Sequence, residues 1–353
     1  MSRNTPFTSP GFRWLWAAAG LVLSLAAGHA APPSGTNQLP TARVVIAEDP
    51  AATEFFQPRA DRVRTMVARG ITNLTGQATA KAAWRSLVSP QDVVGLKVYS
   101  AAGPLAGTRV ALVAAVVEGL IEAGQSPTNI VVWDKRYDDL QEAGYGHLAT
   151  SYGVRVESST GAGFDMGTFY ENSLLGNLIF SDAEFGQKTG RLTGRKSFVS
   201  KLLTRDLTKI INLSPLLNNE LAGVTGHLYS LALGSVDNTL RFEMGGHRMS
   251  VVVPEIYGLP ALYDHVVLNI TDALICQFVG SKSAMLHYAV PLNQLRFSYD
   301  PVALDVLSIR ELQRQRQRAG ISQPGANLDL YQNAALLELG VNDPARIQVE
   351  TLR

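Results

Sequence analysis

Residues Thr208 to Glu243 read TKIINLSPLLNNELAGVTGHLYSLALGSVDNTLRFE. Lys209 to Leu213 is an apolar strand, and a polar loop follows it. A helix then opens at Gly223-Val224-Thr225-Gly226, and a second polar turn comes at Asp237-Asn238-Thr239. Strand, polar loop and helix start, in that order, build binding sites in α/β proteins, because loop side chains and unpaired helical N–H groups meet where a strand ends.

The segments upstream repeat that order. Ala42 to Ala47 is a first strand, and Arg59 to Gly70 carries Val63, Met66 and Val67 at helical spacing. Lys81 to Leu87 is a further helical turn, stopped by Ser89-Pro90. Asp92 to Val98 (DVVGLKV) is a short apolar strand, Thr108 to Ala123 a helix apolar on most sides and ended by Gly124, and Asn129 to Asp134 (NIVVWD) a buried strand. Strand, helix, strand at this length is a right-handed parallel crossover. A helix from Tyr137 to Tyr152 and a strand from Val154 to Ser158 add one more unit.

From Gly161 to Ser197 the periodicity breaks into glycines and short β-like pieces, which predicts a hairpin region inserted at about 161–200. Between Gln187 and Arg205 lie six basic residues and no acidic one, a pattern that fits either a solvated hairpin or an anion-clamping flap. Lys201 to Asp206 reads as a short helix.

Downstream, Val251 to Val253 reads as a strand, Glu255 to Tyr263 as a helix, and Val266 to Cys276 and Leu295 to Ser298 as strands. Asp300-Pro301 is an N-cap followed by proline at the first helical position, opening a helix to Arg318. Leu330 to Leu339 is a last helix and Ile347 to Val349 a last strand. The expected architecture is α/β: a mostly parallel sheet with helices on both faces and the inserted β-hairpin region, one domain spanning 42–353.

Arg3 and Arg13, an apolar run from Trp14 to Ala27 and the small-residue exit Gly28-His29-Ala30 read as a secretory signal peptide over residues 1–30. A Pro/Gly-rich linker covers 31–41. The expected location is periplasmic or secreted, with no stable membrane span after cleavage. Lysine and arginine number 31 against 30 aspartates and glutamates, so the net charge of +1 gives no global attraction to nucleic acid or an anionic membrane. The single cysteine, Cys276, sits in an apolar run; it excludes an intrachain disulfide and speaks against a cysteine-held zinc or iron–sulfur centre.

Several catalytic signatures fail. Lys188-Thr189-Gly190 has no accompanying Ser-x-x-Lys, GRLTGRKS (190–197) has the wrong spacing for a phosphate loop, and Gly161-Ala162-Gly163 lacks a third glycine. No histidine pair shows the i, i+4 spacing of a zinc protease, and metal ligation is left open.

The candidate site gathers at the strand ends. His227 is the candidate acid/base, or else a histidine bonded within the first helical turn; Asp134 is a second catalytic candidate, or else a loop-capping carboxylate. Lys97, Asn219, Thr225, Gly226, Asn238 and Arg241 are the expected ligand-binding residues, with the helix start at Thr225-Gly226 presenting N–H donors to a small anion. For Lys97 the commoner meaning of such a position is a solvated strand-end amine.

Four pieces together resemble the uncharacterised domain family numbered 362, a domain of unknown function often found beside iron–sulfur modules. They are Val94-Gly95-Leu96-Lys97-Val98; Ile210-Ile211-Asn212 leading to Leu221-Ala222-Gly223-Val224-Thr225-Gly226; Asp300-Pro301-Val302-Ala303-Leu304-Asp305; and Asn342-Asp343-Pro344-Ala345-Arg346-Ile347. The chain departs from that family at Leu217 and Asn219, where members usually carry a lysine and a histidine, and at Tyr229-Ser230, where they carry Lys-Asn. The companion cysteines are absent, so no iron–sulfur cluster is expected, and the cofactor is unspecified. Two functions follow: an exported enzyme acting on a small anionic substrate, or a non-catalytic ligand-binding protein that has lost the family's basic site residues.

Overall fold

The computed structural model describes residues 40–172, 196–243, 248–322 and 326–353. In chain order the strands are β1 Ala42–Glu48, β2 Thr53–Glu54, β3 Gln57–Pro58, β4 Val94–Lys97, β5 Ile130–Asp134, β6 Arg155–Ser158, β7 Phe164–Glu171, β8 Lys196–Ser200, β9 Lys209–Asn219, β10 Gly223–Val224, β11 Val266–Gln277, β12 Ala289–Ser298 and β13 Ile347–Leu352. Nine of them form one sheet in the order β13-β1-β12-β11-β9-β4-β5-β6, with β10 paired to β9. The run β11-β9-β4-β5-β6 is parallel, and β12 runs against both its neighbours. Short pairs β2-β3 and β7-β8 stand outside the sheet.

The chain builds β4, β5 and β6 outward in one direction, then returns to place β9 on the other side of β4. That reversal is a topological switch point, the place where helices leave opposite faces and open a crevice beyond the carboxyl ends of the strands.

Helices cover both faces, and the strand alternation explains why. Val94, Leu96, Ile211, Leu213, Leu268 and Ile270 are buried with residues of the helices Ala60–Thr75, Ala80–Leu87 and Val110–Ala123. Val131, Trp133 and Ile210 are buried with residues of His227–Ser235, Met249–Tyr257, Pro301–Arg318 and Asp329–Leu336. Successive strand side chains point to opposite faces, so apolar runs rather than alternating patterns are what a doubly covered sheet requires.

Three expectations need correction. The expected polar loop after Leu213 is strand: β9 continues through Pro215 to Asn219, and Gly223–Val224 pairs back on Asn219 and Asn218 as β10. Proline removes a ladder donor, and the β9–β11 register slips between Asp272 and Gln277, just beyond the position paired with Pro215. The helix therefore starts at His227, with Gly226 as its N-cap. Val251 to Val253 is helical, inside Met249–Tyr257, because Val252, Val253, Ile256 and Tyr257 bury one face; packing overrides the extended preference of β-branched residues. The expected helix Tyr137 to Tyr152 is two, Tyr137–Glu142 and Gly146–Tyr152, broken where Gly144 takes a φ of +88°.

β7 and β8 form the two sides of the expected hairpin region; its middle, with Lys188, Arg191 and Arg195, lies outside the described residues, as does the signal segment. Among the described residues no helix is long and apolar enough to cross a membrane.

Candidate functional site

β4 and β5 end side by side, in register Lys97 to Trp133. Lys97 is wholly buried, so the solvated-amine reading fails. Its ammonium donates to Val98 O (2.6 Å), Asp134 Oδ1 (2.8 Å) and Ser230 Oγ (3.0 Å), which uses all three N–H bonds. Burial pulls its pKa down, and the Asp134 charge opposes that pull. Gly234 belongs to the same packing: a Cβ there would lie 2.4 Å from Lys97 Cε, so only glycine lets the helix His227–Ser235 rest on the lysine.

Asp134 is equally committed. Oδ1 accepts from Lys97 and from the Lys135 N–H (2.8 Å), and Oδ2 accepts from the Ser100 N–H (2.8 Å) and Ser100 Oγ (2.6 Å). A carboxylate with about four lone-pair directions has none left for a substrate proton. The catalytic role expected for Asp134 is therefore replaced by a structural one: with Lys97 it locks the loop after β4 to the end of β5.

Above this pair opens a cleft of about 410 Å³, lined by residues that follow β4 (Tyr99, Ala101), follow β5 (Asp134, Lys135, Arg136, Asp139), and belong to or follow the helix His227–Ser235 (Tyr229, Ser230, Leu233, Asn238), with Lys282 at its rim. That volume suits a small organic molecule. Tyr99, Tyr229 and Leu233 give the cleft an apolar wall; Lys135, Arg136 and Lys282 give it cations. Lys135 Nζ donates to Thr239 Oγ1 at 2.6 Å, and exposed Arg136 stands 3.9 Å from Asp138. Asp139 is half-buried, and burial, reinforced by the Asp134 charge, raises its carboxyl pKa.

Of the expected site residues, Asp134 and Asn238 line this cleft and Lys97 lies directly beneath it. Asn238 takes a φ of +47°, and its Nδ2 donates to Lys196 O at 3.0 Å. Arg241 falls in the short helix Leu240–Glu243, with its side chain outside the described set.

The other expected residues do not line the cleft. His227 is fully buried: Nε2 sits 2.9 Å from Thr271 Oγ1, Nδ1 has no partner among the described residues, and desolvation lowers its pKa to about 3. An imidazole buried away from the cleft and held neutral by desolvation is poorly placed for acid/base work there. Asn219 Oδ1 accepts from the Leu221 and Ala222 N–H groups at 2.9 and 3.0 Å, a turn-holding role. Thr225 is buried and passes its N–H to Leu217 O at 2.9 Å.

The helix start expected to hold an external anion already holds an internal one. Asp305 accepts the His227 N–H at 2.7 Å and the Leu228 N–H at 3.0 Å, and burial raises its pKa to about 7. Gly226, at φ +44°, leaves the room: a Cβ there would meet Asp305 Oδ1 at 2.4 Å. The same device recurs at the helix Val110–Ala123, where Asp272 accepts the Arg109 N–H at 2.8 Å and pairs with its guanidinium at 3.3 Å. Helix N-termini attract carboxylates, and here the chain supplies its own.

The sequence reading passes over Tyr99, Lys135, Arg136, Asp139 and Lys282, and meets Tyr229-Ser230 only as a departure from the family. The run Asp134-Lys135-Arg136-Tyr137-Asp138-Asp139, directly after a buried strand, is a usable signal: charge concentrated at the carboxyl end of a central strand. Lys282 lies far along the chain, and only the fold brings it to the rim. Cys276 is buried as expected, with no disulfide partner. Among the described residues no group of three or more His, Cys, Asp or Glu is placed to hold a metal ion.

No family model matches the chain, and no curated protein matches its sequence. Among solved structures it is similar to a Thermotoga maritima protein known from a crystal structure, at 9% identity and a TM-score of 0.41, covering 76% of this chain and 60% of that one. The chain thus spans less than two thirds of that protein's length, and a likeness of this degree says nothing about activity.

Proposed function

We propose that this chain binds a small organic acid in the cleft at the carboxyl ends of β4 and β5. The observation that carries the reading is the cleft's division of labour. Lys97 and Asp134 pair with each other beneath it, while Lys135, Arg136 and Lys282 line it with Asp139, beside the apolar wall of Tyr99, Tyr229 and Leu233. An apolar body against the wall and an anionic group toward the cations is the ligand chemistry that such a lining recognises. Binding rather than catalysis is the first reading, because His227 and Asp134 are both consumed by the structure.

The test is calorimetric titration with benzoate and 4-hydroxybenzoate as probes, on the wild type and on Ala101→Trp. Ala101 is exposed at the mouth, so the indole fills the cleft without disturbing the core. Saturable binding that disappears in A101W supports the proposal; no saturation, or binding unchanged in A101W, removes it.

A second reading rests on Asp139, whose raised pKa and place in the wall suit a proton donor. In that enzyme, D139N would abolish turnover while leaving probe affinity within a few-fold. The resemblance to family 362 and export by the N-terminal signal stand as companion proposals. N-terminal sequencing of the mature protein from periplasmic extract tests the second, with a start near Ala31 expected and an intact Met1 against it.

A further inference from the structure

Where the helix Pro301–Arg318 packs beside β12 and β1, it leaves a second cleft of about 630 Å³ that also reaches Val349 of β13. Its lining is unlike the first. The helix contributes Arg310, Gln313, Arg314 and Gln317, spaced i, i+3, i+4 and i+7, so one helical face presents two guanidiniums and two amides. The buried stripe of the helix, with Ile309 and Leu312, faces elsewhere, into the core.

The floor is Arg296 of β12, whose neighbours Leu295 and Phe297 are buried on the opposite face of the sheet. Only 4% of Arg296 is exposed. A charge so placed needs compensation. It receives part: Nη2 and Nε donate to Gln294 Oε1 at 2.9 and 3.3 Å, and Glu311 lies 3.6 Å away. Glu311, however, is shared. It also accepts from Arg314 and, at 2.6 Å, from Gln315. Arg310 is exposed and has no side-chain partner among the described residues. One carboxylate therefore answers three guanidiniums in a concave site.

We propose that this cleft is a binding site for a small polyanion carrying phosphate or several carboxylates. Guanidinium forks match such oxygens in pairs, and the flanking glutamine amides add donors. A small ligand fits better than a polymer: the site is concave, and a net charge of +1 gives the chain no global attraction to a nucleic acid.

The test is calorimetric titration of the full chain with inorganic pyrophosphate and with citrate, which separate phosphate from carboxylate recognition. Saturable binding of either is expected, weakened about tenfold or more in R310Q and R314Q, as loss of a charge-assisted contact implies, and unchanged in A101W, which addresses only the first cleft. Arg314 also holds Glu311, so a thermal melt accompanies R314Q; Arg310 has no such duty, and R310Q alone suffices to decide. No saturable binding, or equal binding in R310Q and wild type, overturns the proposal. Binding of heparin or a DNA oligonucleotide without either small probe also overturns it, by replacing the site with a polymer-binding surface.

Discussion

Replacing His227 with glutamine isolates one buried group and has a calculable signature. The wild-type imidazole is held neutral down to about pH 3, against an ordinary value of 6.5, by desolvation. A group whose pKa is lowered on folding contributes stability that is complete above its unfolded pKa and drains away as pH falls toward the folded one. Each pH unit inside that window is worth about 1.4 kcal/mol, so the wild type loses about 2 kcal/mol between pH 7.5 and 5.0 through this residue, and about 5 kcal/mol at full extent. H227Q keeps an amide within reach of Thr271 and has nothing to titrate.

Urea denaturation of both proteins at pH 7.5, 6.0 and 5.0 measures the difference directly. Comparison with the variant is essential because Asp305 works in the opposite sense. Its pKa, raised to about 7, makes it a source of stability at low pH that fades as pH rises through 7, so the two groups offset one another between about pH 4 and 6.5. The wild-type curve alone is therefore flattened there. A gap between wild type and H227Q that narrows or changes sign by about 2 kcal/mol on going to pH 5.0 is expected. A gap independent of pH would refute the reasoning, since it would mean that the folded imidazole takes up protons as readily as the unfolded one.

Three further outcomes follow from the same geometry. Lys97→Met strands Asp134 without its counter-ion and costs about 3–5 kcal/mol, while K97M/D134N costs clearly less than the sum of the single changes; strict additivity in denaturation would contradict the pairing. Gly226→Ala costs about 2–4 kcal/mol, because its backbone is left-handed and the new methyl collides with the Asp305 carboxylate; a loss below about 0.5 kcal/mol would show the helix start to be looser than described. Asp305→Asn removes the carboxylate's cost, which rises between about pH 4 and 7, so the variant's stability relative to wild type improves from pH 5 to pH 8, as equilibrium unfolding would register; a constant offset would count against a raised Asp305 pKa.

The fold was legible because a sheet covered on both faces writes itself as apolar runs: DVVGLKV, NIVVWD and the Val266–Cys276 stretch each mark a central parallel strand. Asp300-Pro301 marked a helix start through local chemistry alone, and Asp300 Oδ1 indeed accepts the Ala303 N–H at 2.8 Å. Where the reading failed, distant partners decided. Pro215 and the asparagine pair looked like loop until β10 and β11 flanked them, and three valines looked extended until their helix was buried.

The site was legible in position and illegible in chemistry. Lys97 and Asp134 mark the correct strand ends, but nothing in their own segments tells that Ser100 and Ser230 use up their hydrogen-bonding capacity. The open helix start at Gly226 looked like an anion site because the anion that fills it, Asp305, lies 78 residues from His227 in the chain.

The central claim is that the cleft at the ends of β4 and β5 takes a small organic acid. A crystal structure of the protein soaked with 4-hydroxybenzoate tests it most directly. The account predicts the ring against Tyr99, Tyr229 and Leu233, with the carboxylate toward Lys135, Arg136 or Lys282. A ligand seated elsewhere, with this cleft holding only solvent at saturating concentration, would contradict it.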